Sequence, residues 1–119
     1  MEFSFIAPAK VWSTNDDRRL HWAQRSKLVK EWRDCTAIIA KARRVGSQPP
    51  SVVTISIPFA RNGRRDPMNY VGTVVKAMVD GLVDAGVWPD DTPEYVEVRQ
   101  PRFVIGGKEV VVTIEPFEK

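Results

Sequence analysis

The sequence predicts an α+β domain in which two helices cover one face of a mixed sheet of about four strands. Three observations point there. Alternating apolar positions mark strands near residues 2–7 and 53–59, and apolar positions at steps of three and four mark helices near 21–44 and 67–85. A glycine pair, Gly106-Gly107, then separates two further strand-like stretches. With 119 residues, 43% of them hydrophobic and 28% charged, the chain is long enough for one core without disulfide or metal staples. A single domain over 1–119 is expected.

The first strand, Glu2 to Ala7, alternates weakly and ends at Pro8. Residues 13–19 are rich in turn formers, which predicts a polar loop exposing Asn15, Arg18 and Arg19. In the first helix, Leu28, Trp32, Cys35, Ile39 and Ala42 form the apolar stripe, and Gly46 with Pro49-Pro50 stops it. On this stripe Cys35 reads as core, and Trp22 and Trp32 fall near the same side. Val53, Ile55, Ile57 and Phe59 form one face of the second strand, and Pro58 suggests a sheet edge or a strand end. A basic loop, 60–65, precedes the second helix, whose stripe runs through Val71, Val74, Val75, Met78, Val79 and Leu82. Thr73, Lys76, Asp80 and Asp84 are expected on its opposite side, with Gly86 at its C-terminus. Tyr95 to Phe103 and Glu109 to Glu115 read as two strands, joined as a hairpin through Ile105-Gly106-Gly107-Lys108.

Charge is unevenly distributed along the chain. Residues 8–46 carry ten Lys or Arg against four acids, a balance of +6, and Arg61, Arg64 and Arg65 extend that half. From Asp66 to Arg99, seven acids oppose Lys76 and Arg99, a balance of −5. Such separation suits a protein that holds polyphosphate with one part and a divalent cation with another, although a merely solvated surface would have the same composition. One cysteine excludes an internal disulfide, and a lone His21 argues against a zinc site, so any metal must bind to oxygen. The N-terminal stretch lacks a basic n-region and no apolar run approaches the about 18 residues of a membrane span, so a cytoplasmic protein is expected.

Asp66 before Pro67 is an ordinary helix N-cap, yet a carboxylate there beside Arg64 and Arg65 also stays ionised and suits a cation. Asn69 is an early-turn residue or a support that hydrogen-bonds a metal ligand. Asp90 and Asp91 are turn residues or ligands. Lys76 and Asp80 have the spacing of a weak ion pair. A helix of about 19 residues is roughly 28 Å long, so Asp66 and Asp90/Asp91 converge only if the helix starts later or the loop after it folds back.

Together, Arg64-Arg65-Asp66-Pro67-x-Asn69, Lys76-Ala77-x-x-Asp80-x-Leu82, Ala85-Gly86-Val87-Trp88-x-Asp90-Asp91 and the Gly106-Gly107 turn resemble the RusA family of Holliday junction resolvases, over nearly the whole chain. The resemblance implies a RusA-like domain and a homodimeric, Mg²⁺-dependent endonuclease, with Mn²⁺ able to substitute, that cuts four-way DNA junctions in recombination, repair or phage DNA processing. A phage or prophage origin and the bacterial cytoplasm follow from it. By the match, Asp66, Asp90 and Asp91 hold metal, Asp66, Asp91 and Lys76 are catalytic, and Asn69 orients. Asn15, Arg18, Arg19, Arg64 and Arg65 contact the DNA backbone. The chain departs from the family's Asp-x-Asp-Asn at Met68, which has no oxygen to offer a metal, and its Asn69-to-Lys76 spacing is about four residues longer. Asp80 or Asp84 could stand in for the missing carboxylate. The alternative expectation is a junction-binding or architectural protein that has the fold without the chemistry.

Overall fold

A computed structural model of the chain describes residues 1–117. It is an α+β domain with a mixed five-stranded sheet. Strand β1 (Glu2–Ile6) leads through a helical turn, α1 (Thr14–Asp17), into the long helix α2 (Trp22–Ala42) and strand β2 (Ser51–Phe59). A 3₁₀ turn (Pro67–Tyr70), a π turn (Val71–Val75) and helix α3 (Lys76–Asp84) follow, then β3 (Val96–Val98), β4 (Arg102–Ile105) and β5 (Glu109–Pro116).

The sheet order is β1-β5-β2-β3, with β4 beside β2 on the same flank as β3. The predicted strand 95–103 is thus two strands, separated by Arg99-Gln100-Pro101, and both run parallel to β2. A sheet of four lanes therefore contains five strands. The expected hairpin through Gly106-Gly107 is corrected: β4 and β5 lie on opposite sides of β2 and do not pair. Between them the chain crosses the end of β2, where the Gly106 N–H donates to the Phe59 carbonyl at 2.7 Å. Both glycines have positive φ, +89° and +71°. The turn chemistry was read correctly, but a turn signal does not say whether a third strand sits between the two it joins.

Far from being an edge, β2 is central. It accommodates Pro58 because pairing with β5 ends at Ser56↔Val111, leaving only β4 beside the last residues. Phe3, Phe5, Val53, Ile55, Ile57, Val110, Val112 and Ile114 are buried on one face of the sheet, beneath Trp32 and Ala40 of α2 and Met78, Val79 and Leu82 of α3. On the other face Glu2, Arg102 and Glu115 are exposed and Thr54, Ser56 and Thr113 partly so.

Several expectations about faces change. The buried positions of α2 are Trp32, Thr36, Ala37 and Ala40, so its packing stripe is rotated from the predicted one. Cys35 is only half-buried, and Trp22 is 69% exposed. Trp12 and Trp88, in loops, are buried instead. Each buried tryptophan finds an acceptor for its indole N–H, as a ring with one polar atom requires in a core: Trp12 to Asp17 Oδ1 (3.1 Å), Trp32 to the Lys10 carbonyl (3.1 Å) and Trp88 to Ser51 Oγ (3.4 Å).

Candidate functional site

The site is built by the way α3 ends. Gly86, at φ +83°, closes the helix with two hydrogen bonds, Gly86 N–H to the Val83 carbonyl (2.9 Å) and Val87 N–H to the Leu82 carbonyl (3.0 Å). This pairing satisfies carbonyls that would otherwise be orphaned at the C-terminus and reverses the chain. Val87 and Trp88 then bury themselves, and the Val87 carbonyl accepts from the Gln48 N–H at 2.8 Å. The loop accordingly runs back along α3, and Asp91 reaches Lys76 in the first turn of that helix. The Lys76 ammonium donates to Asp80 Oδ1 at 2.8 Å and to Asp91 Oδ2. Both conditions read from the sequence are met, the α-helix proper starting only at Lys76 and the loop folding back along it, and together they bring Asp91 to Lys76.

Asp66 lies ten residues before Lys76, ahead of the 3₁₀ and π turns. There its Oδ1 caps the 3₁₀ turn by accepting from the Met68 N–H at 3.0 Å, the N-cap role that Asp-Pro predicts. Around that turn a second group assembles. The predicted polar loop 13–19 contains the helical turn α1, capped reciprocally by Ser13 and Asp16. Thr14 Oγ1 donates to the Asn69 carbonyl at 3.0 Å, which ties α1 to the 3₁₀ turn. Thr73, expected on the polar side of the helix, is buried and anchors the same junction by donating to the Trp12 carbonyl at 2.6 Å. Asn15, Arg18 and Arg19 are exposed on this turn, and Arg64 and Asp66 on the neighbouring segment. Arg65 differs from Arg64: its guanidinium lies 3.9 Å from the centre of the Phe59 ring and donates to the Arg61 carbonyl, so it shapes the basic loop.

The two groups are joined by the irregular start of the second helix. What the sequence predicts as one α-helix is a 3₁₀ turn, a π turn and an α-helix in succession. A π turn is a single-turn departure that absorbs extra residues without breaking the helical path, and such turns concentrate at functional sites.

Electrostatics fix the charge states around Lys76. The hydrogen-bonded Asp80, then Asp91, raise its ammonium above the ordinary lysine range, so it stays cationic at neutral pH. Lys76 in return holds the Asp91 carboxyl below the ordinary carboxylate range. Asp90 Oδ1 accepts the Asp91 N–H at 2.8 Å and is engaged with its own loop. Asp84 is paired with Arg33 of α2 at 2.5 and 2.8 Å and is thereby removed as a candidate ligand.

These residues do not fit an Mg²⁺ site as arranged. Among the described residues no group of three or more His, Cys, Asp or Glu side chains could hold a metal ion. Asp66 is engaged in capping its own turn, Met68 is 56% exposed and offers no oxygen, and Asp91 faces an ammonium. A groove of about 790 Å³ lies on the open face of the sheet, lined by Thr54, Glu97, Arg99, Arg102 and Glu115 among others, and includes none of the candidate residues.

The weak ion pair read from the i, i+4 spacing of Lys76 and Asp80 is present, whereas Asp91 as the second partner of the same ammonium left no local signal, because it lies fifteen residues further on. Thr14 and Thr73, which tie the α1 region to the start of the second helical segment, left no signal, because both bonds span more than fifty residues. A scan against protein-family models finds no match to this chain, and a comparison with curated proteins finds none either.

Proposed function

We propose that this chain is a structure-selective DNA endonuclease that resolves four-way junctions as a homodimer, with Mg²⁺ as the implied cofactor. The observation that carries the reading is the return of the 85–95 loop, which brings together Asp91 and Lys76, two of the residues that the resemblance assigns to catalysis. The basic side chains support it. Asn15, Arg18, Arg19 and Arg64 are exposed on elements that Thr14 ties together, so they can follow one phosphate backbone. Lys76, kept charged by its neighbours, is suited to neutralise a phosphate oxygen as negative charge develops on it. Two equal sites related by a dimer axis would account for symmetric cuts by a chain that carries one site. The divalent-ion requirement rests on the resemblance alone, and a cytoplasmic location belongs to the same proposal. No helix among the described residues is long and apolar enough to cross a membrane.

The second reading is a junction-binding protein that does not cut. It is favoured by Met68 at the position of a ligand aspartate and by the absence, among the described residues, of three or more acidic, His or Cys side chains grouped to hold a metal. Nicking of synthetic four-way junctions in Mg²⁺ or Mn²⁺ tests both. The endonuclease reading expects paired nicks near the branch point that Asp91→Asn lowers by at least about a hundredfold. Tight junction binding with no nicking in either metal would leave the second reading standing.

A further inference from the structure

We infer that the Lys76 ammonium is an internal counter-cation for Asp80 and Asp91, which keeps a divalent ion off Asp91 in the free protein. The inference rests on the reading of Asp91 as the key carboxylate of the site.

Two carboxylates from different parts of the chain converge on one point, and that point is Lys76 Nζ. Asp80 comes from one turn further along α3 and Asp91 from the returning loop, both about a quarter to a third exposed. Without a positive charge between them the two anions would repel, and a cation bound by oxygen would be the natural replacement. Helix stability does not explain the arrangement. A basic residue N-terminal to its acidic partner at i, i+4 is the weaker orientation, and a pair this exposed contributes little. What the contact does is hold the Asp90-Asp91 loop against α3 and offset one of the two negative charges that a metal ion would seek.

Half of the Lys76 side chain remains exposed, so the ammonium is accessible from outside. A DNA phosphate is the chemistry suited to draw it away, because it offers the lysine an anion in exchange for Asp91.

Mn²⁺ binding to the intact 119-residue chain, followed through the paramagnetic resonance of the free ion, tests this without reference to activity. Lys76→Met and Lys76→Gln both remove the ammonium at an exposed position, and retention of fold is checked by circular dichroism. Each variant is expected to bind Mn²⁺ at least about tenfold more tightly than the unmodified chain, and the gain should vanish when Asp91→Asn is added. Affinity in the unmodified chain equal to or above that of both variants overturns the inference. Failure of the broader reading looks different. A chain that binds Mn²⁺ weakly and never nicks junctions loses the endonuclease proposal and keeps the counter-cation. One that nicks junctions while binding Mn²⁺ as tightly as its Lys76 variants keeps the endonuclease and loses the counter-cation.

Discussion

Gly81 decides how closely the two helices approach. A Cβ at this position would run into the Arg33 carbonyl oxygen of α2 and lie 3.0 Å from the Thr36 Cβ. Helix propensity alone favours Gly81→Ala by about 1 kcal/mol. The clash is with backbone and cannot be relieved by a rotamer change, so overpacking should win and the variant should be destabilised by about 1–3 kcal/mol. Calorimetry should show a lower Tm; an unchanged or raised Tm would mean that α2 and α3 can slide apart at no cost. The close approach matters to the site because Arg33, on the same stretch of α2, ties up Asp84 and leaves Asp80 as the acid that faces Lys76. Single residues of this kind were only partly legible. The Lys76–Asp80 spacing could be read directly, whereas the buried role of Thr73 depends on Trp12, sixty-one residues away.

At the level of elements, the sheet order depends on how the chain passes the end of β2. The crossing loop has only Gly106, Gly107 and Lys108 with which to carry it from one side of β2 to the other, and both glycines sit where side chains are strained. Gly106→Ala and Gly107→Ala should each lower stability by about 1–2 kcal/mol, with asparagine tolerated better than alanine. Urea titration would register this as a lower midpoint at unchanged slope. A neutral alanine at both positions would refute the strained crossing. Periodicity found β1, β2, β5 and the two long helical segments, since burial on one face imposes a period of two or 3.6 whatever the partner, but it passed over the short α1 turn and ran β3 and β4 together. It could not find partners. The hairpin expected from Gly106-Gly107 failed because pairing is non-local; of the two readings of Pro58 the strand end holds and the sheet edge does not; and the pitch changes within 67–84 were missed because apolar spacing hardly distinguishes a π turn from an α-helix.

On the scale of the whole molecule, the chain presents two unlike surfaces. One gathers the α1 turn, the basic loop and the Lys76 cluster on the helical side, and the other is the open face of the sheet, where Arg99 and Arg102 lie among Glu97 and Glu115. The charge asymmetry read from the sequence anticipated a basic region but not its boundary, which depends on Thr14 joining segments that are distant in sequence. If branched DNA is held by the first surface, its affinity must come largely from released counterions, and the slope of log K against log[salt] counts the phosphates engaged at about 0.9 each. Charge removal at Arg18, Arg19 or Arg64 should each flatten that slope by about one unit, measured by electrophoretic mobility or anisotropy with a four-way junction. Arg65→Ala belongs to a different class, because it strips the cation from the Phe59 ring and should weaken folding as well as binding. Arg99→Ala and Arg102→Ala should leave the slope unchanged. A junction slope that responds equally to both faces would mean that the chain binds DNA by overall charge rather than by a surface its fold assembles, and neither the endonuclease nor the junction-binding reading would survive that result.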